Sequence, residues 1–212
     1  MKIFGFPLSP FVRKVHVIAA EKGIAVQAVM GNPANPDPEF LAASPFRKIP
    51  ALADGDFKLA DSTAIVTYFD ALEPEPSITP GDAKQRAKAI WYEEFADTIV
   101  TAAAGKVVFN RFVGPKVLGR PGDEELAKQG VQELQPIFDW FESVVPAEGW
   151  LTGHFSIGDV AVASVLRTLG YVGLEPDASR PKTLAWYNRV KARPSWQAVA
   201  AEEDAILAGF GG

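Results

Sequence analysis

A change in chain grammar at one point constrains the fold more than any other feature. Glu73-Pro74-Glu75-Pro76-Ser77-Ile78-Thr79-Pro80 holds three prolines and almost nothing apolar. Proline fixes φ and removes a backbone donor, so no helix or central strand runs through such a stretch. Its composition is that of a linker. Before it, apolar runs are short and bounded by Pro and Gly: Lys2–Phe6, Val26–Met30, Ala51–Ala53 and Phe57–Leu59. Those are strand lengths with breakers on either side. After it, apolar residues recur at helical spacing over long stretches, starting with Trp91, Phe95 and Ile99 at i, i+4 and i+8. The chain therefore reads as an α/β unit over residues 1–75, a linker over 76–81 and an all-helical unit over 82–212. Its 212 residues are enough for two small packed units, domains averaging ~150 residues.

Helical candidates alternate with the strands of the first unit. Pro10–Lys22 places Phe11, Val15, Ile18 and Ala19 on one face and stops at Gly23. Pro38–Ala43 is a short helix, and Asp61–Leu72 sets Ile65, Tyr68, Phe69 and Leu72 at helical spacing. The first strand–helix–strand unit implies a parallel pair with a right-handed crossover. Asp54-Gly55-Asp56 reads as a hairpin turn between the last two strands. The result is a small mixed sheet flanked by helices. In the second unit, helices are expected over Lys84–Phe112, Glu124–Val145, Ser156–Leu169, Pro181–Ala192 and Ser195–Leu207.

Composition narrows the chemistry. Hydrophobic residues at 48% and charged residues at 22% match an ordinary globular protein and exclude disorder or coiled coil. A net charge of −5 lacks the basic footprint that general nucleic-acid binding needs. With no cysteine, there are no disulfides, thiolate metal sites or protein thiol nucleophiles. The two histidines, His16 and His154, lie far apart, so no metal site is expected. No apolar run reaches the ~18 residues of a membrane span. The N-terminal apolar run breaks at Pro7, too early for a signal peptide, so a cytoplasmic protein is expected.

Three short motifs fall at one end of the expected sheet. The first is Ser9-Pro10-Phe11-Val12-Arg13-Lys14-Val15, with Pro10 at the favoured first position of a helix. Ser9 is an ordinary N-cap there, or a hydroxyl that joins free amides and the helix dipole in holding an anion. The second is Ser44-Pro45-Phe46-Arg47-Lys48-Ile49-Pro50, where a proline directly before a strand fits a cis Ile49–Pro50 bond. Arg47 and Lys48 beside it suit a carboxylate, or are solvated cations. The third is Asp61-Ser62-Thr63, again an ordinary cap, or a seat for a small anion on Ser62 with Asp61 facing an ammonium. A ligand with two carboxylates, an amine and a thiol would use all three.

This ordered set resembles the cytosolic glutathione transferase family. The resemblance spans nearly the whole chain and includes the later Ser156-Ile157-Gly158-Asp159 box. It implies a thioredoxin-like domain followed by a helical bundle, with glutathione as co-substrate, no metal, and a homodimer. It implies that Ser9 donates to the glutathione thiolate and that the backbone of Ile49, before cis Pro50, pairs with the cysteinyl moiety. Lys48 and Arg47 match positions near the glycine carboxylate. Asp61 and Ser62 match the pair that holds the γ-glutamyl group, although Asp61 stands where Glu or Gln is usual. Without cysteine, the thiol-dependent reductase classes and the Ser-Ser-Cys isomerase class are excluded, leaving a Ser-type, bacterial-like transferase. The implied reaction is attack of the glutathione thiolate on a small hydrophobic electrophile, with peroxidase activity through the same thiolate. The alternatives are a non-catalytic binding or regulatory member of the fold and a holder of apolar ligands.

Phe11, Phe109, Phe112 and Tyr171 are the candidates for an apolar pocket between the two units. Arg13, one turn beyond Ser9, is the alternative source of thiolate stabilisation. Ser156 and Asp159 read as a capping box, with Phe155 and Val160 at the staple positions, a folding device. Trp91, Tyr92 and Phe95 exceed what one packed face needs, which adds to the case for a dimer.

Overall fold

The computed structural model describes residues 1–31 and 35–210; residues 211–212 of the expected helical unit lie outside these. Strands β1 (Lys2–Gly5), β2 (Gln27–Met30), β3 (Ala51–Asp54) and β4 (Phe57–Ala60) form one sheet in the order β2-β1-β3-β4. β1 pairs with β2 in parallel, and β3 runs antiparallel to both β1 and β4. Helix α1 (Pro10–Glu21) makes the crossover from β1 to β2. The central strands carry the buried residues, Ile3, Phe4, Ala51 and Leu52, while the edge strands β2 and β4 stay largely exposed. Gly55 takes a φ of +57° in the hairpin turn, a conformation that turns of this kind demand and glycine adopts without strain. Helices α2 (Pro38–Ala43) and α3 (Ser62–Leu72) complete this half.

The helical half contains α4 (Ala83–Glu94), α5 (Thr101–Val108), α6 (Glu124–Val144), α7 (Ile157–Gly170), α8 (Pro181–Lys191) and α9 (Pro194–Ala208). The segment expected as one helix over Lys84–Phe112 winds through two wide, π-type stretches, Phe95–Val100 and Phe109–Val117, on either side of α5. Such stretches are rare and gather near functional sites. α7 is apolar nearly all round and lies buried between α1 and α4, as a helix without a polar face must. At its start, a Cβ on Gly158 would stand 2.9 Å from the Ala89 carbonyl oxygen, so the two helices touch backbone to backbone.

The proline-rich linker is fastened to the first unit. Lys22 donates from Nζ to the Glu73 carbonyl at 2.6 Å and the Pro76 carbonyl at 2.8 Å, and pairs with Asp70 at 2.6 Å. Asp70 in turn accepts from the amides of Ile78 and Thr79. Burial works against the Asp70 charge, but Lys22 and these amides outweigh it and hold the carboxyl below its usual range. Ile78, the segment's one apolar side chain, is buried in a core that spans both halves, from Ile3 and Val15 to Leu166 and Trp186. Of the three aromatics, Tyr92 of α4 and Phe95 just beyond it are buried, whereas Trp91 is 46% exposed; it stacks on Phe95 and meets Trp140 of α6 edge-on at 5.3 Å.

Candidate functional site

Strand register brings the three motifs together. Phe4 pairs with Ala51, and Ala51 with Ala60. The chain leaving β1 toward Ser9, the chain entering β3 through Ile49-Pro50 and the chain leaving β4 at Asp61 therefore meet at one end of the sheet. The Ile49–Pro50 bond is cis, as expected.

The loop before Pro50 is fastened by a residue to which the sequence reading gave no role. Ser44, 1% exposed, donates from Oγ to the Lys48 carbonyl at 2.7 Å and accepts from the Lys48 amide at 2.8 Å. Serine's habit of bonding nearby backbone was the available signal. This fixes Lys48 and Ile49 on the wall of a cavity of about 1180 Å³. Arg47 is exposed at φ +57° and lines neither this cavity nor the one beside it. Pro50 is buried behind Ile49.

Asp61 and Ser62 line the same large cavity. Asp61 sits at φ +87°, a region that costs a non-glycine residue about 1–3 kcal/mol and recurs at ligand sites. Its Oδ1 accepts from the amides of Thr63 at 2.9 Å and Ala64 at 3.2 Å, so the short side chain caps α3. One carboxylate oxygen thus serves the cap, the first of the two roles open to Asp61, and these bonds do not use the other. Ser62, the first residue of α3, is 3% exposed.

Beneath this first turn lies a charged cluster that the sequence reading did not foresee. Lys14, fully buried, pairs with Glu93 and with Asp97, each at 2.6 Å. The Thr63 hydroxyl donates to Glu93 as well. Asp97 borders the large cavity. Burial pushes its carboxyl up to about 6, against the opposing pull of Lys14. Phe11 faces this cavity too, 6.0 Å from the Lys14 ammonium.

Ser9 opens on a second, smaller cavity of about 200 Å³, with Phe6, Leu8, Phe112 and Tyr171 in its wall. Its backbone has N-cap geometry, φ −70° and ψ 131°, but its hydroxyl makes no cap hydrogen bond. The capping role expected of it is therefore absent, and the hydroxyl is left to other partners. The four aromatic candidates divide. Phe112 and Tyr171 stand together, ring centroids 5.3 Å apart, beside Ser9. Phe11 belongs to the neighbouring cavity. Phe109 is 52% exposed and lines neither.

Arg13 is buried and wholly engaged. Its Nε donates to Glu203 at 2.6 Å, Nη1 to Thr168 at 2.9 Å and to the Ser164 carbonyl, and Nη2 to the Tyr171 hydroxyl and, at 3.5 Å, the Leu8 carbonyl. Its N–H groups are all directed to these partners, and its charge is paired with Glu203. Glu203 also pairs with Arg167, so this network ties α1 to α7 and α9. Burial pushes the Tyr171 hydroxyl up to about 12, so it stays protonated at neutral pH. Among the described residues, no group of three or more His, Asp or Glu could hold a metal ion, and no helix is long and apolar enough to cross a membrane.

A mixed four-stranded sheet with helices, followed by a helical bundle, is a thioredoxin-like domain joined to an all-helical one. The model of the glutathione S-transferase N-terminal domain matches residues 3–77, and that of the C-terminal domain matches residues 100–194. Glutathione S-transferase 3 of Zea mays is 30% identical over 209 residues, 95% of this chain and 93% of that protein. Among solved structures, a glutathione S-transferase from Rhodospirillum rubrum F11 has a TM-score of 0.86 at 26% identity, covering 93% of this chain and 90% of the other. Glutathione S-transferase I from maize, in complex with an atrazine glutathione conjugate, has a TM-score of 0.79 at 27% identity, covering 94% and 96%. The chain belongs to the glutathione S-transferase family.

Proposed function

We propose that this chain joins the glutathione thiolate to small apolar electrophiles, with Ser9 as the catalytic residue. The observation that carries the reading is the uncommitted Ser9 hydroxyl, at the end of the sheet shared with Ile49 and Ser62 and open to an apolar cavity. In this reading residues 1–75 hold glutathione, 76–81 connect, and 82–212 supply most of the electrophile pocket. Glutathione lies along the large cavity. Its γ-glutamyl group rests on Ser62 and the free side of Asp61, its cysteinyl backbone pairs with Ile49, and its glycine carboxylate turns toward Lys48, with Arg47 adding charge from outside. The sulfur points to Ser9. A hydrogen bond from Ser9 to sulfur favours the ionised form and lowers the thiol pKa. The thiolate then attacks an electrophilic carbon held against Phe112 and Tyr171, and the same thiolate reduces peroxides. No metal enters this scheme.

A homodimer is part of the reading. Phe46, 87% exposed on the loop that carries Lys48, borders the large cavity, and Ile99 is exposed by half on the stretch that follows α4. In this reading both side chains belong to the contact between subunits. We place the enzyme in the cytosol, where glutathione is kept reduced.

Retention on immobilised glutathione, paired with conjugation of 1-chloro-2,4-dinitrobenzene, tests the whole. Retention without turnover would make the chain a binding member of the fold. Ser9→Ala should keep glutathione affinity, raise the pH at which the bound thiolate absorbance appears, and lower kcat/KM roughly 10- to 150-fold, the worth of one hydrogen bond to a charged group. An unchanged thiolate titration would remove Ser9 from the mechanism.

A further inference from the structure

The cavity beside Ser9 measures about 200 Å³, against about 1180 Å³ for its neighbour. Its lining includes no charged residue. Of its polar groups, the Thr168 and Tyr171 hydroxyls already serve Arg13, whose charge is matched by Glu203. Only Ser9 remains, and the thiolate takes it. A charge placed against this lining would find no partner there, which disfavours it.

The wall opposite is braced. Phe112, 7% exposed, packs on Tyr171 at 5.3 Å and meets Phe210 edge-on at 5.7 Å. Its ring cannot swing aside without breaking both contacts. A dry cavity of about 150 Å³ accommodates benzene. The space beside Ser9 must take the reacting sulfur as well as the electrophile.

Resting on the assignment of this cavity to the electrophile, we propose that the enzyme selects uncharged electrophiles of one aromatic ring or a short alkyl chain, and that Phe112, braced by Tyr171 and Phe210, sets the size limit. With a benzyl halide, the sulfur forms a bond to the benzylic carbon as the carbon–halogen bond breaks. The halide leaves with the electron pair, the thiol proton having gone to solvent on ionisation. A three-ring homologue has the same reacting carbon but must displace the braced wall. Overpacking of this kind lowers a rate or binding constant roughly 10- to 150-fold.

The test compares benzyl chloride, 9-(chloromethyl)anthracene and 4-(chloromethyl)benzoate, each kcat/KM divided by its uncatalysed rate. Benzyl chloride should exceed both others roughly 10- to 150-fold. Phe112→Leu and, separately, the gentler Val113→Ala should narrow the gap to the anthracene by raising its rate. Val113→Phe should depress benzyl turnover while glutathione affinity by calorimetry holds. Equal wild-type rates for all three would overturn the size and charge limits and leave conjugation standing. A gap that neither Phe112→Leu nor Val113→Ala narrows would overturn the role of this wall. Turnover of none of them by protein that binds glutathione would instead overturn the transferase reading itself.

Discussion

Helices α3 and α7 begin with the same kinds of residue and end up doing different work. Each start pairs a serine with an aspartate. At α7, Asp159 is buried and its two oxygens accept from the Leu151 amide, the Trp186 indole, and the amide and hydroxyl of Ser156. No valence is left over. At α3, Asp61 is exposed, held at φ +87°, and its recorded bonds use one oxygen only. Ser62 beside it borders a large cavity. A saturated buried cap specifies the fold, whereas a strained, half-used cap at a cavity keeps bonding capacity for a ligand. The contrast can be broken by mutation, with stability as the readout at one helix and affinity at the other.

Asp159→Ala should have the largest effect. It leaves the donors of Leu151, Ser156 and Trp186 buried and unpaired, each costing about 1–3 kcal/mol before relaxation. A total loss near 3 kcal/mol would lower the melting temperature by roughly 6–12 °C in a chain of this size. Glutathione affinity of the folded fraction should hold. Equal melting temperatures for variant and parent would contradict the assignment of α7's start to folding.

Ser62→Ala inverts that pattern. The proposed hydrogen bond from Ser62 to a charged γ-glutamyl group would be worth about 1.5–3 kcal/mol, tenfold or more in Kd. Calorimetric titration with glutathione should show that loss, while thermal unfolding moves little. Unchanged affinity would mean that α3's start, too, serves only the fold.

Much of this was legible because it is local. Pro10 opens α1, Gly55 turns the hairpin, and the Ser156–Asp159 box starts α7, each through the chemistry of one residue and its near neighbours. That the three motifs meet was legible too, since strand order alone sends them to one end of the sheet. What escaped was decided by packing. Arg13 and Lys14 count as surface cations in a sequence, yet both are buried in ion pairs whose partners lie 79 to 190 residues away. Phe109 stands three residues before Phe112 and should share its face in a regular α-helix. The π-type stretch that begins at Phe109 widens the turn and breaks that spacing, so one ring reaches the cavity and the other faces out. At Asp61 the cap reading was local and legible, because a short carboxylate caps a helix better than Glu or Gln.

The smallest effect concerns the ground beneath α3. Where Asp159 has neutral donors all around it, Asp97 shares a single cation, Lys14, with the fully buried Glu93, and Asp61 adds further negative charge. Burial comes first among the causes that push Asp97 up to about 6, with Lys14 opposing and Glu93 reinforcing it. The unfolded chain releases this proton near the ordinary value of about 4. Between about pH 4 and 6 the folded state therefore binds the proton more tightly, and by linkage stability falls as pH rises through that window. Asp97→Asn keeps a polar partner for Lys14 but cannot ionise. Its stability should match the parent near pH 4 and exceed it by on the order of 1–2 kcal/mol above about pH 7, with the difference growing through pH 6. Urea unfolding of both proteins at matched pH values measures that difference directly. Parallel curves from pH 4 to 7 would mean that Lys14 balances both carboxylates, leaving α3's start as electrically settled as α7's.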